Sequence, residues 1–196
     1  MTQPVEFFYD FRSPYSYLAL TQLQGMDIDI AFRPMQILAV MERVGNVPTT
    51  ITCAAKGRYA RMDLARWAQR YGLTFNPSNM RENDGDACSR AVLAAAPKDR
   101  AAVTLTLYRA MWSEGLTLAD AEAVVAALSA AGIDTRAIAA DIDAPEIVAQ
   151  LRANTDEAVE RDIFGSPTIF VGDTMFFGND RIDFVRQALA QREAAA

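Results

Sequence analysis

A short apolar run that stops abruptly at a helix start constrains this chain more than any other feature. Val5 to Tyr9 is dense in aromatic and β-branched character, the make-up of a buried strand. Ser13-Pro14 follows at once, a hydroxyl residue where an N-cap belongs and a proline at the first helical position. The strand-to-helix turn therefore falls at Arg12-Ser13. A helix start leaves backbone N–H groups unpaired and carries partial positive charge, so the space beside Ser13 suits an anion or a thiolate.

Beyond the turn, Tyr15, Leu18, Ala19 and Leu23 recur at helical spacing until Gly25. Ile28, Ile30 and Phe32 then alternate with Asp29, Ala31 and Arg33, the period of a strand exposed on one face. Strand, helix and strand in so short a span predict a βαβ unit with parallel strands, closed by Pro34. Residues 35–56 carry no strong period, and Gly45-Asn46-Val47-Pro48 is a turn cluster. From about Lys56 the character is helical: Ala60, Leu64, Trp67 and Tyr71 share a face before Gly72, and Asn76-Pro77-Ser78-Asn79 is a loop. Further helical segments run from Ala87 to Ala96, through Leu105, Tyr108 and Trp112, through Ala121 to Leu128, and through Ile147 and Leu151 after Pro145.

Strand character returns at Ser166 to Val171, meets the Gly172-Asp173 turn and resumes at Thr174 to Phe177, which predicts a hairpin. Ile182, Val185 and Leu189 mark a last helix. The order βαβ, helical insert, ββα is an α/β plan of thioredoxin type. It divides the chain into residues 1–55, the first part of a thioredoxin-like domain, residues 56–154, an inserted all-helical domain, and residues 155–196, the second part. The two outer pieces must meet in one sheet. A redox protein of this plan would carry Cys-x-x-Cys where Ser13-Pro14-Tyr15-Ser16 stands, and two serines cannot exchange disulfides.

Composition narrows the chemistry. At 196 residues the chain can bury a substantial core, and no apolar run reaches the roughly 20 residues that span a bilayer. Met-Thr-Gln-Pro-Val-Glu has neither a basic region nor an apolar core, so no secretory signal is expected, and with Cys53 and Cys88 the only cysteines a cytoplasmic location is the default. A formal charge of −6 without a basic block disfavours nucleic acid and anionic membrane as partners. The chain has no histidine, which removes the Ser-His-Asp triad, the Cys-His dyad and imidazole metal sites, and no metal is expected. An enzyme so equipped would borrow its chemistry from a bound small molecule.

Phe8-Tyr9-Asp10-Phe11-x-Ser13-Pro14-Tyr15-Ser16-Tyr17 near the start, with Phe164-Gly165-x-Pro167-Thr168-x-Phe170-Val171-Gly172-Asp173 and Gly178-x-Asp180-Arg181 near the end, resembles the 2-hydroxychromene-2-carboxylate isomerases. These are relatives of the kappa-class glutathione transferases in the DsbA-like branch of the thioredoxin superfamily. The resemblance implies glutathione as cofactor, with Ser13 hydrogen-bonding its sulfur and Asn46 and Lys56 near the tripeptide. It implies a cis Pro167, so that the backbone of Ser166 pairs with the cysteinyl unit as an added strand, and it implies that Asn179 and Asp180 hold the γ-glutamyl end. A small aromatic-derived carboxylate substrate, a place in aromatic catabolism and a homodimer are implied with it. Two departures stand out: Phe177, as in kappa transferases, where isomerase members usually carry tryptophan, and Thr49 where a second proline often follows the loop Asn-x-Pro.

Each of these residues also has a plain structural role. Ser13 is a ready helix cap, Pro167 an ordinary trans proline at a strand start, Asp180 the N-cap or first-turn acid of the last helix, and Asn46 a turn former. Lys56 and Arg58 are ordinary surface charges, Tyr17 can be core or pocket lining, and Cys53 and Cys88 have no partner that suggests chemistry. The sulfur role is energetically accessible. A thiol of pKa about 8.5 is ~3% ionised at pH 7, and lowering it by two units, worth about 2.7 kcal/mol, makes it roughly three-quarters thiolate. One hydroxyl hydrogen bond and a helix N-terminus can supply that together. Two other functions use the same residues: a kappa-like transferase that releases its thioether, and a redox-inactive thioredoxin-fold binding module with a peptide groove. The Asn179-Asp180 pair argues against the second, since a peptide groove has no need of a γ-glutamyl clamp.

Overall fold

The computed structural model describes residues 4–195; the ends of the ranges 1–55 and 155–196, and Met1-Thr2-Gln3 of the leader reading, lie outside the described residues. β1 (Val5–Tyr9), α1 (Pro14–Leu23) and β2 (Ile30–Pro34) form the expected opening unit. Helices follow: α2 (Ile37–Arg43), α3 (Thr49–Thr52), α4 (Ala54–Arg70), α5 (Gly85–Ala94), α6 (Arg100–Trp112), α7 (Ala121–Ala130), α8 (Arg136–Asp141) and α9 (Pro145–Glu160). The hairpin β3 (Thr168–Val171) and β4 (Thr174–Phe177) and the helix α10 (Ile182–Ala195) close the chain. Among the described residues no helix is long and apolar enough to cross a membrane.

The sheet order is β2-β1-β3-β4, with β1 parallel to β2 and antiparallel to β3. The two ends of the chain thus complete one sheet, as the α/β plan required. Residues on β1 alternate between two covered faces. Phe7 and Tyr9 join Phe32, Leu20, Tyr108 and the buried faces of α5 to α8 in one core, while Phe8 packs with Met35, Ile37, Val40, Ile163 and Phe170 beneath α2 and α9. One face of the sheet thus shares its core with the helices α5 to α8. The β1–β3 register pairs Phe8 with Thr168, which carries the residues just after β1 past those just before β3.

Three features differ from the sequence expectation. The stretch read as aperiodic, residues 35–56, holds α2 and α3 and the start of α4 at Ala54. α2 buries only Ile37 and Val40, and α3 buries nothing, so neither has a repeat for periodicity to detect. α8 is likewise one short helix with Ile138 as its buried residue. The expected boundary at 154/155 lies inside α9, which runs unbroken from Pro145 to Glu160. Its buried face there is polar: Asn154 Nδ2 donates to Pro34 O at 3.0 Å, and Thr155 Oγ1 accepts from Gln36 N at 3.1 Å. Those bonds tie α9 to the end of β2, and polar residues at core positions hide the helix from a hydrophobic reading.

Candidate active site

Ser13 caps α1 with extended backbone angles (φ −98°, ψ 108°), and its Oγ accepts from Ser16 N at 3.3 Å. The same hydroxyl donates to Ser166 O at 2.8 Å. The Ser166–Pro167 bond is cis. Ser166 Oγ accepts from Asp10 N at 3.0 Å and lies 2.7 Å from Ser16 Oγ. Ser13, Ser16, Ser166 and Pro167 are therefore one cluster, built from the register of β1 against β3. The cap role and the proximity to Pro167 both hold.

Beneath the cluster the turn is fixed by groups that sequence reasoning did not single out as functional. Asp10 is fully buried, and its carboxylate accepts from Arg12 N at 2.8 Å and Ile37 N at 2.9 Å while pairing with Arg12 Nη1 at 3.1 Å. Burial pushes the Asp10 carboxyl above its usual range, against the opposing pull of the Arg12 guanidinium and the two N–H groups. Arg12 reaches on to Asp86 of α5 at 2.8 Å. From α6, Tyr108 Oη donates to Asp10 O and Trp112 Nε1 to Phe11 O, each at 3.0 Å. Burial holds the Tyr108 phenol well above its ordinary value, so it stays a donor at any physiological pH. The available signal was Asp10 itself, an acid in an otherwise aromatic run.

Beside the α1 start lies a cleft of ≈ 410 Å³ lined by Tyr15, Thr50, Ala55, Lys56, Tyr59 and Ala60. Lys56 is exposed and has no ion pair among the described residues, whereas Arg58 is not part of the lining. Tyr15 Oη donates to Asp63 Oδ2 at 3.1 Å, and burial followed by that carboxylate pushes the phenol upward. Tyr17 is core: its ring stacks on Tyr108, and its hydroxyl is 2.9 Å from Ser113 Oγ.

None of the other expected site residues is part of that lining, and each is held differently. Asn46 Nδ2 donates to Phe164 O at 2.7 Å, which ties the 45–48 turn to the segment leading into Ser166. Asn179 is buried, with Tyr71 Oη donating to its carbonyl at 3.4 Å. Asp180 is exposed and paired with Arg181 at 2.5 Å, in a short 3-10 turn that precedes α10, so it is not the N-cap of that helix. Burial pushes the Tyr71 phenol up, and the Asp180 charge adds to the rise of both Tyr15 and Tyr71. Phe177 lies over Gly165, where any Cβ would run into its ring, and beside Phe164 with ring centroids 4.7 Å apart. Cys53 is exposed at the N-cap of α4, and Cys88 is buried against Met111.

Known proteins resemble this chain in sequence and fold. The family model described as DSBA-like thioredoxin domain matches residues 4–190. The chain is 33% identical over 197 residues to a 2-hydroxychromene-2-carboxylate isomerase of Pseudomonas putida, covering 95% of this chain and 94% of that protein. It is 26% identical to glutathione S-transferase kappa 1 of Homo sapiens, over 98% of this chain and 93% of that one. The solved structure of a selenomethionine 2-hydroxychromene-2-carboxylate isomerase superposes with a TM-score of 0.85 at 31% identity, covering 97% of each chain.

Proposed function

Because the chain belongs to the DSBA-like thioredoxin family and, within it, to the 2-hydroxychromene-2-carboxylate isomerases, we propose that it is a glutathione-dependent isomerase of a hydroxychromene carboxylate or a related aromatic-catabolism intermediate. The observation that carries the reading is the Ser13 hydroxyl at a helix start, bonded to Ser166 and two residues before Tyr15, which lines an apolar cleft that includes one cation, Lys56.

The residues present fit glutathione. Ser166 N has no acceptor among the described residues, although its neighbour Pro167 O is paired with Gly178 N, so one backbone donor stands open beside the Ser13 hydroxyl. The cleft volume lies within the roughly 300–1,000 Å³ of small-molecule sites. In this assignment Ser13 donates to the sulfur and does not itself attack, the backbone of Ser166 before Pro167 pairs with the cysteinyl unit, and Asn46 and Lys56 lie along the tripeptide. Asn179 and Asp180 receive the γ-glutamyl end, where Asp180 would exchange Arg181 for an ammonium group. When bound, glutathione supplies a thiolate able to add reversibly to a conjugated carbon, which converts a locked double bond into a rotatable one. Tyr15 and Tyr59 offer flat walls to an aromatic substrate, and Lys56 or Arg58 a cation to its carboxylate. We assign the protein to the cytoplasm from its cysteine content and to a homodimer on the same resemblance. We also keep the division into a thioredoxin part and a helical insert, with α9 bridging the second junction.

The test is turnover by enzyme stripped of small thiols. Ring isomerisation should vanish and return with catalytic, unconsumed glutathione, and turnover that persists unchanged without it would sink the proposal. A kappa-like transferase is the second reading, favoured by phenylalanine at 177, where isomerase members usually carry tryptophan. Stoichiometric consumption of glutathione with chlorodinitrobenzene, without ring isomerisation, would select it.

A further inference from the structure

We propose that Ser166 O is a shared acceptor, which holds the Ser13 hydroxyl until a peptide N–H takes its place, so that the site activates only thiols carried on a peptide backbone. The inference rests on the glutathione reading above and specifies which part of the cofactor that site requires.

A serine hydroxyl has one hydrogen to give. Ser13 gives its own to Ser166 O at 2.8 Å, while its lone pair receives Ser16 N at 3.3 Å. A hydroxyl so committed cannot also make a full hydrogen bond to a sulfur anion. Rotation toward sulfur would strip Ser166 O of its donor, because no other described group donates to that oxygen. Leaving a half-buried carbonyl unpaired opposes the rotation.

The carbonyl cannot follow the hydroxyl, because the side chain of its own residue is anchored. Ser166 Oγ accepts from Asp10 N at 3.0 Å and bonds Ser16 Oγ at 2.7 Å, both on the turn that carries Ser13. Ser166 N, on the same residue, has no acceptor among the described residues. An open N–H and a replaceable donor on one residue are what an added extended segment uses, giving one C=O and taking one N–H. A ligand with that pair satisfies Ser166 and releases the Ser13 hydrogen in a single exchange. A simple thiol has no N–H to offer, and Ser13 stays where it is. Ser166 is thus a positioning residue through its hydroxyl as well as its backbone.

The experiment titrates the bound thiol by its ultraviolet thiolate absorbance. It compares glutathione with its depsipeptide analogue, in which an ester oxygen replaces the N–H joining the γ-glutamyl and cysteinyl units. Bound glutathione should be about three-quarters ionised at pH 7, against ~3% when free, while the bound analogue should stay within about threefold of its free value. Equal ionisation of the two would overturn the inference and leave the functional reading standing. Should the analogue fail to bind, a crystal structure of the glutathione complex decides: Ser13 Oγ must have left Ser166 O for the sulfur, and a bond still made to Ser166 O refutes the exchange. Absence of glutathione binding removes the functional reading and the inference together.

Discussion

Replacing Asp10 by asparagine tests how the site is held. The carboxylate accepts two backbone N–H groups, Arg12 N and Ile37 N, and faces the Arg12 guanidinium, all in a fully buried position. Asparagine keeps the shape but offers one acceptor oxygen, so an NH₂ group must face one of those donors. An orphaned buried N–H costs about 1–3 kcal/mol. Arg12 keeps Asp86 at 2.8 Å and is partly exposed, so loss of its second partner costs less than the roughly 3–5 kcal/mol of a wholly uncompensated buried charge. The sum is about 2–4 kcal/mol, or roughly 5–15 °C in Tm for a chain of this size.

The pH dependence makes that prediction sharper. Burial raises the folded-state pKa of Asp10 above the ordinary carboxylate value, so the folded state binds the proton more readily than the unfolded state. The proton-linked part of the Asp10 contribution is then fully present below the unfolded value and is lost as pH rises through the folded one, while its contacts with Arg12 N, Ile37 N and the guanidinium persist. The asparagine that replaces it cannot titrate. The Tm gap between wild type and Asp10→Asn, followed by circular dichroism from pH 7 toward pH 4, should widen on acidification. A gap that narrows would mean that Arg12 and the two N–H groups outweigh burial, and the reasoning would be refuted.

Ser13→Ala should remove a donor to a charged sulfur, worth about 1.5–3 kcal/mol, and so lower kcat/KM by roughly 10- to 150-fold, while the lost cap costs about 1 kcal/mol of stability. Steady-state kinetics beside thermal unfolding checks this, and parallel losses would make Ser13 merely structural. Gly165→Ala should push the Phe177 ring off its seat, raising KM for an aromatic substrate more than it lowers kcat; unchanged KM would remove Phe177 from the site. A maleimide at pH 7 should label Cys53, which is exposed and whose thiol is held below its ordinary value by the Lys56 backbone N–H, and should spare Cys88, whose thiol is pushed up by burial. Mass spectrometry of native and unfolded protein counts the adducts, and two adducts on the native protein would contradict the buried position of Cys88.

What could be read in the sequence was local chemistry. Ser13-Pro14 specifies a capped helix whatever surrounds it, and Gly172 supplies the positive φ of 62° that the β3–β4 turn needs. The order of strong strand and helix patterns then gave the sheet. What could not be read depends on partners far away in the chain. Tyr108 and Trp112 belong to an apolar helical face by spacing, yet their polar atoms serve carbonyls 98 and 101 residues earlier. Asn154 and Thr155 look like surface residues until the end of β2 arrives to accept and donate. Asp180 shows the reverse limit, since local propensity offered a cap and the chain instead forms a 3-10 turn with Asp180 turned to Arg181.

These distant bonds change how the helical insert should be understood. A lobe that merely covered a cleft would touch the sheet domain at its rim. Here α6 donates to the carbonyls of Asp10 and Phe11, and α5 holds Arg12 through Asp86, so three successive residues of the turn before Ser13 are positioned by the insert. Gly85 belongs to the same arrangement, because a Cβ there would stand 3.2 Å from the Arg12 side chain. If the Ser13 hydroxyl exchanges one acceptor for another as proposed, it must swing on a support that does not move. The insert supplies that support from below, and the strand arriving at Ser166 supplies the acceptor from the side. On the proposed reading, the geometry at Ser13 is therefore set where the turn after β1 meets α5 and α6, and substitutions on α5 or α6 that never touch a ligand should change the ionisation of a bound thiol.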